Sequence, residues 1–139
     1  MRRRKITLHN ISGTRSAMTP PRDNSTIIRA IDQQVAHIWM VRTFLKHADE
    51  SEDDEELRDI VRDLYDFILA VGPLNEAESP EAYLKMGKKK IGKLKRATTL
   101  YEEIQPEVSG HTNFVMAARS LRLAVDQIES LLAESKRQP

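Results

Sequence analysis

The stretch from about Ser25 to Ala48, STIIRAIDQQVAHIWMVRTFLKHA, decides the fold. Ile27, Ile28, Ile31, Val35, Ile38, Trp39, Val41 and Leu45 recur in it at three- and four-residue spacing. That is the period of one face of an α-helix. Asn24 or Ser25 precedes the run, and either side chain can accept from an unpaired backbone N–H at a helix start. A stripe this broad on one helix is stable only when other helices cover it.

The rest of the chain supplies three such helices. A second is expected over about 52–71, with Ser51 as cap and Glu52, Asp53 and Asp54 loading its first turn, where negative charge complements the helix dipole. Leu57, Val61, Leu64, Ile68 and Val71 would form its apolar stripe, and Gly72–Pro73 would stop it. A third is expected over about 80–105. Ser79 caps it, Pro80 takes the first helical position, Tyr83, Met86, Ile91, Leu94, Ala97, Tyr101 and Ile104 face inward, and Pro106 ends it. A fourth, over about 111–134, buries Phe114, Ala118, Leu121, Val125, Ile128 and Leu132. Short links between long helices favour antiparallel neighbours. The expected fold is all-α, an antiparallel up-down-up-down four-helix bundle over residues 23–139.

Residues 1–22 show no helical period and hold Gly13, Pro20 and Pro21. They read as a flexible basic tail, a segment that follows a mis-assigned start before Met18, or an arm that touches nucleic acid or a membrane surface.

Composition agrees with a bundle. The 139 residues are 40% hydrophobic and only 5% aromatic, with 5 glycines and no cysteine. Disulfides, thiolate metal sites and a cysteine nucleophile are therefore excluded, and the chain suits a reducing cytoplasm. No apolar run approaches the roughly 20 residues that span a bilayer.

The net charge of +1 hides four blocks. Residues 1–22 carry six basic and no acidic residues, 23–78 five basic and fourteen acidic, 79–96 seven basic and one acidic, and 97–139 four basic and six acidic. Projected at about 100° per residue, Glu55, Asp59, Asp63 and Asp66 fall opposite the second helix's apolar stripe, and Lys85, Lys88, Lys89 and Arg96 fall on the outer side of the third. The plain account is an acidic helix beside a basic one, with complementary fields that help fix the pairing. The sharper account makes Lys85, Lys88, Lys89 and Arg96 a face for phosphates or nucleic acid. Against it, Tyr83 and Tyr101 fall on the buried side and are not placed to stack on bases.

Few residues point to chemistry. A di-iron bundle needs Glu-x-x-His on two helices, and the sequence has none. His9, His37, His47 and His111 form no His-x3-His pair, so no metal or other cofactor is expected. His111 opens the fourth helix on the core side and is expected to cap or hydrogen-bond there. Arg42 falls within the apolar stripe of the first helix. A guanidinium there needs a carboxylate from another helix or a route to the bundle edge, or else it recognises an anion in a cleft.

Arg42 and His47 also make Arg-x-x-x-x-His. This resembles the signature of the HEPN superfamily, small helical bundles many of which are metal-independent ribonucleases. The resemblance covers six residues, places Thr43 after the arginine, and lies at the end of the first helix. It implies His47 as general acid or base and Arg42 as the stabiliser of phosphate charge.

The reading the residues support is a non-catalytic interaction or regulatory protein of the cytoplasm that binds a protein partner or a second copy of itself. A ribonuclease or nucleic-acid-binding module is the alternative. No small-molecule ligand is inferred. Trp39, Met40, Met116 and Leu123 lie off the inward stripes and suggest a second packing surface.

Overall fold

The computed structural model describes residues 22–136, and the expectation for residues 1–21 lies outside them. Four long helices form: α1 (Asn24–His47), α2 (Glu55–Val71), α3 (Pro80–Val108) and α4 (Thr112–Lys136). Single 3-10 turns, Asp49–Ser51 and Leu74–Glu76, lie in the first two connections. Each helix packs on its neighbour in sequence, α4 closes the ring against α1, and α1 meets α3 across the centre. Arg22 pairs with Glu134 at one end of the α1–α4 seam, and Phe44 meets Phe114 edge-on near the other, so the two helices run antiparallel. The all-α four-helix bundle is the fold.

The core is a column of Ile27, Ile31, Ile38 and Leu45 from α1 against Leu57, Ile60 and Leu64 from α2, with Leu94, Leu121 and Ile128 from the other helices. Tyr83 and Tyr101 are buried, as their register requires. The Tyr101 hydroxyl donates to the Phe114 carbonyl at 2.9 Å and ties α3 to the start of α4.

Several boundaries differ from the sequence reading. Asp23, not Asn24 or Ser25, caps α1, its carboxylate accepting from the Thr26 N–H at 2.8 Å. Ser51 does not cap α2. It is buried in the turn, where its hydroxyl donates to the Ala48 carbonyl at 2.8 Å. Asp54 takes the cap by accepting from the Leu57 N–H at 3.0 Å, so Glu52 and Asp53 precede the helix.

Pro106 lies inside α3 and does not end it. It removes one N–H from the final turn, where little helix remains to be disrupted. Partly buried Ile104 and Val108 hold that turn on the core, and the Gln105 amide donates to the Ser109 carbonyl at 2.9 Å. His111 is exposed and not core-facing, yet it does cap α4: its Nδ1 accepts from the Asn113 N–H at 3.0 Å.

The buried side of α2 is also rotated. Ile60 and Phe67 are buried in the places expected for Val61 and Ile68, which are only half-buried. Phe67 lies toward α3, beside Lys90 and Lys93, whereas Val61 faces α1 across an open seam.

Candidate functional site

That open seam is the site. A cavity of about 450 Å³ lies between α1 and α2, lined by Arg42 and Lys46 from α1, Ser51 from the turn, and Arg58, Val61, Arg62 and Tyr65 from α2. Arg42 and Lys46 are four residues apart, as are Arg58 and Arg62, so each helix presents two cations one turn apart on the same wall. Residues 23–78 contain five basic residues against fourteen acidic ones, and four of the five converge on this cavity. No carboxylate of the described residues lines it.

Arg42 is its centre. The residue is only 9% exposed and, among the described residues, makes no hydrogen bond or ion pair; its Nε is buried without an acceptor. Of the alternatives for Arg42, a carboxylate partner on another helix is not found among the described residues. The guanidinium carbon instead lies 4.7 Å from the Trp39 ring centre and 4.6 Å from that of Tyr65. The two rings are 6.3 Å apart and inclined at 44°, so they form an open cradle. Each ring's negative face attracts the cation, by about 1 kcal/mol where water is partly excluded. The cradle also fixes the plane of the guanidinium while leaving its charge uncompensated.

The other cations are held to different degrees. Arg58 donates to the Ser51 and Glu52 carbonyls, which places it at the turn end of the cleft, with no carboxylate partner among the described residues. Arg62 pairs with Asp59 on its own helix, and that hydrogen-bonded carboxylate raises the arginine's pKa above its ordinary value. Lys46 is exposed and forms no ion pair among the described residues.

His47 is exposed, and its Nδ1 lies 3.0 Å from the Thr43 carbonyl of its own helix. It does not line the cavity, so the structure does not bring Arg42 and His47 to one cleft. His37 and His111 are exposed elsewhere, and no group of three or more potential metal ligands forms among the described residues.

On α3, Lys85, Lys89 and Arg96 are exposed and Lys88 half-exposed, on the outer side as their register requires. None of the four forms an ion pair among the described residues. The neighbours between them are engaged: Lys93 reaches Asp63 at 3.5 Å and Asp66 at 3.3 Å across the α2–α3 seam, and Lys95 pairs with Glu129 of α4. The acid-to-base contact expected between α2 and α3 thus passes through Lys93.

Trp39, Met40, Met116 and Leu123 are all exposed, as is Leu69, which the periodicity did not single out. No described helix is long and apolar enough to cross a membrane. No known protein family, curated protein or solved structure matches the chain.

Lys46, Arg58 and Arg62 escaped the sequence reading because their block is the most acidic in the chain. The available signal was the i,i+4 spacing of Arg42 with Lys46 and of Arg58 with Arg62 on consecutive helices.

Proposed function

We propose that the protein is a non-enzymatic interaction module that holds an anionic group of a protein partner in the α1–α2 cleft. One observation carries this reading: Arg42, nine-tenths buried and cradled by Trp39 and Tyr65, has no counter-ion among the described residues and faces a cavity that three further cations line. A buried charge of purely structural use is normally paired, because leaving it unpaired is costly. An anion in the cleft would supply the missing charge, and the immobilised planar fork loses little freedom on binding it.

The rim favours a protein as the bearer of that anion. Trp39 is 41% exposed and packs against both Arg42 and Tyr65 of the cleft. Tryptophan and arginine are among the residues most enriched where proteins meet.

Trp39 is the only tryptophan in the chain, so its fluorescence reports directly on the cradle. Titration with phenyl phosphate and with benzoate at matched ionic strength should change that emission saturably. Arg42→Gln should weaken the response by about ten-fold or more, the usual scale for a charge-assisted pair. An unchanged response in Arg42→Gln would sink the proposal.

A second reading rests on the unpaired outer lysines of α3, which could follow a phosphodiester backbone. It predicts RNA binding that falls steeply with salt and is lost in Lys85→Glu/Lys89→Glu but kept in Arg42→Gln.

A further inference from the structure

We infer that the anion taken by the α1–α2 cleft is a phosphorylated side chain on a protein partner, flanked by basic residues. This rests on the anion-binding reading above and names its ligand.

Charge is the first argument. Four cations line one cavity of about 450 Å³, and among the described residues the only carboxylate paired with any of them is Asp59, on Arg62. A carboxylate ligand brings one negative charge, whereas a phosphate monoester brings about 1.5 to 2 at pH 7. The larger charge relieves more of the repulsion among the four.

Shape is the second. The cations stand in two pairs on facing walls, Arg42 with Lys46 and Arg58 with Arg62. A tetrahedral group with three terminal oxygens can be held from both walls at once. A planar carboxylate presents two oxygens, which one guanidinium fork satisfies. Val61 and the Tyr65 ring give the cavity apolar walls between the charged tips. Its volume lies within the range of small-ligand sites, and it opens to solvent along the seam. The stem of a phosphorylated residue fits such walls better than a bare ion does.

The surroundings choose the bearer. Asp49, Glu50, Glu52 and Asp53 crowd the exposed turn around Ser51, which lines one end of the cleft. Neighbouring phosphates of a nucleic acid would be repelled there. A single phosphate on a peptide with lysine or arginine beside it would meet the cations with its phosphate and the acidic turn with its flanks. Trp39, exposed beside Arg42 and Tyr65, offers apolar contact to such a peptide.

The test measures anisotropy of fluorescein-labelled decapeptides with the full chain at about 150 mM salt, where long-range attraction is screened. The probes carry one phosphoserine or one phosphotyrosine flanked by lysines. Their controls are the unphosphorylated twins, glutamate twins, a single-stranded RNA decamer and unlabelled inorganic phosphate as competitor. At least one phosphorylated peptide should bind about ten-fold or more tightly than its unphosphorylated and glutamate twins, and more tightly than the RNA. Arg42→Gln should remove that preference. Lys46→Gln, at an exposed position, should weaken binding with helix content by circular dichroism unchanged, which separates lost contact from lost fold.

Glutamate twins that bind as tightly as the phosphopeptides, and are lost in Arg42→Gln, would overturn the phosphoryl assignment and leave the anion-binding reading standing. Inorganic phosphate that binds as tightly as the peptides, or RNA that binds more tightly, would overturn the peptide assignment. Binding of no probe, or binding indifferent to both Arg42→Gln and Lys46→Gln, would overturn the inference and the reading beneath it together.

Discussion

Arg42 shows what a single position in a helix register does and does not disclose. Its angle on α1 is legible in the sequence, and the structure buries it as that angle requires. What meets it is not legible, because Tyr65 comes from another helix and the choice between a ring and a carboxylate depends on a rotation of α2 that apolar spacing leaves open. The two buried tyrosines separate in the same way. Both face the core, but the Tyr101 hydroxyl has the Phe114 carbonyl as acceptor, while the Tyr83 hydroxyl is buried with no partner among the described residues. Burial pushes the Tyr101 pKa up to about 12. It raises that of Tyr83 strongly too, with the nearby Asp32 charge adding to the effect. Tyr101→Phe should therefore lose about 1 kcal/mol of stability, the usual worth of a made hydrogen bond, whereas Tyr83→Phe should be neutral or stabilising because it removes an unsatisfied group. Urea denaturation of both variants checks the contrast; equal losses would contradict it.

At the scale of the helix, type and number were readable and edges were not. Four apolar periods of about 20 to 26 residues leave little choice but a bundle. Caps depend on which of several adjacent polar side chains turns back to the backbone, as with Asp23 beside Asn24 and Ser25. The stripe of α2 was ambiguous because Ile60, Val61, Phe67 and Ile68 are all apolar. The structure turns Ile60 and Phe67 inward and leaves Val61 on the cleft wall. That rotation opens the site. The interior of α3 carries a second local conflict. Gly92 lowers helix stability, and a Cβ added there would meet only the tip of Arg96, at an ordinary 3.5 Å. Gly92→Ala should then stabilise the protein by about 0.5–1 kcal/mol, read as a higher urea midpoint with unchanged slope. At Gly87 a Cβ would come within 3.2 Å of Leu132, so the same change there lacks that free space.

For the whole molecule, the near-neutral sum conceals how charge is used. Paired charges join the helices: Arg122 of α4 donates to Glu102 of α3 through two bonds of 2.9 and 2.7 Å, and Lys93 joins α3 to α2. The Arg122 hydrogen bond holds the Glu102 carboxyl below its ordinary pKa, and the Thr26 backbone N–H does the same for Asp23. A depressed folded pKa contributes stability that is fully present above the unfolded value, about 4 for carboxylates, and is lost as pH falls through the folded one. Melting temperature should thus hold from pH 7 to about 5 and fall below about 4. Glu102→Gln should make that fall shallower, and an identical acid profile in the variant would refute the assignment.

Among the described residues, cations without an ion pair gather on the outer face of α3 and, as Arg42, Lys46 and Arg58, in the α1–α2 cleft. The first was visible as a lysine run, and the second was averaged away inside an acidic block. The measurement that tests the central claim most directly is a nitrogen-15 titration of the full chain with a lysine-flanked phosphopeptide, following the Arg42 Nε–Hε and Trp39 indole signals. The account predicts that both shift together and saturate with the peptide, and that the backbone amides of α3 around Lys85–Arg96 stay still. Shifts confined to α3, with Arg42 and Trp39 unmoved, would contradict it.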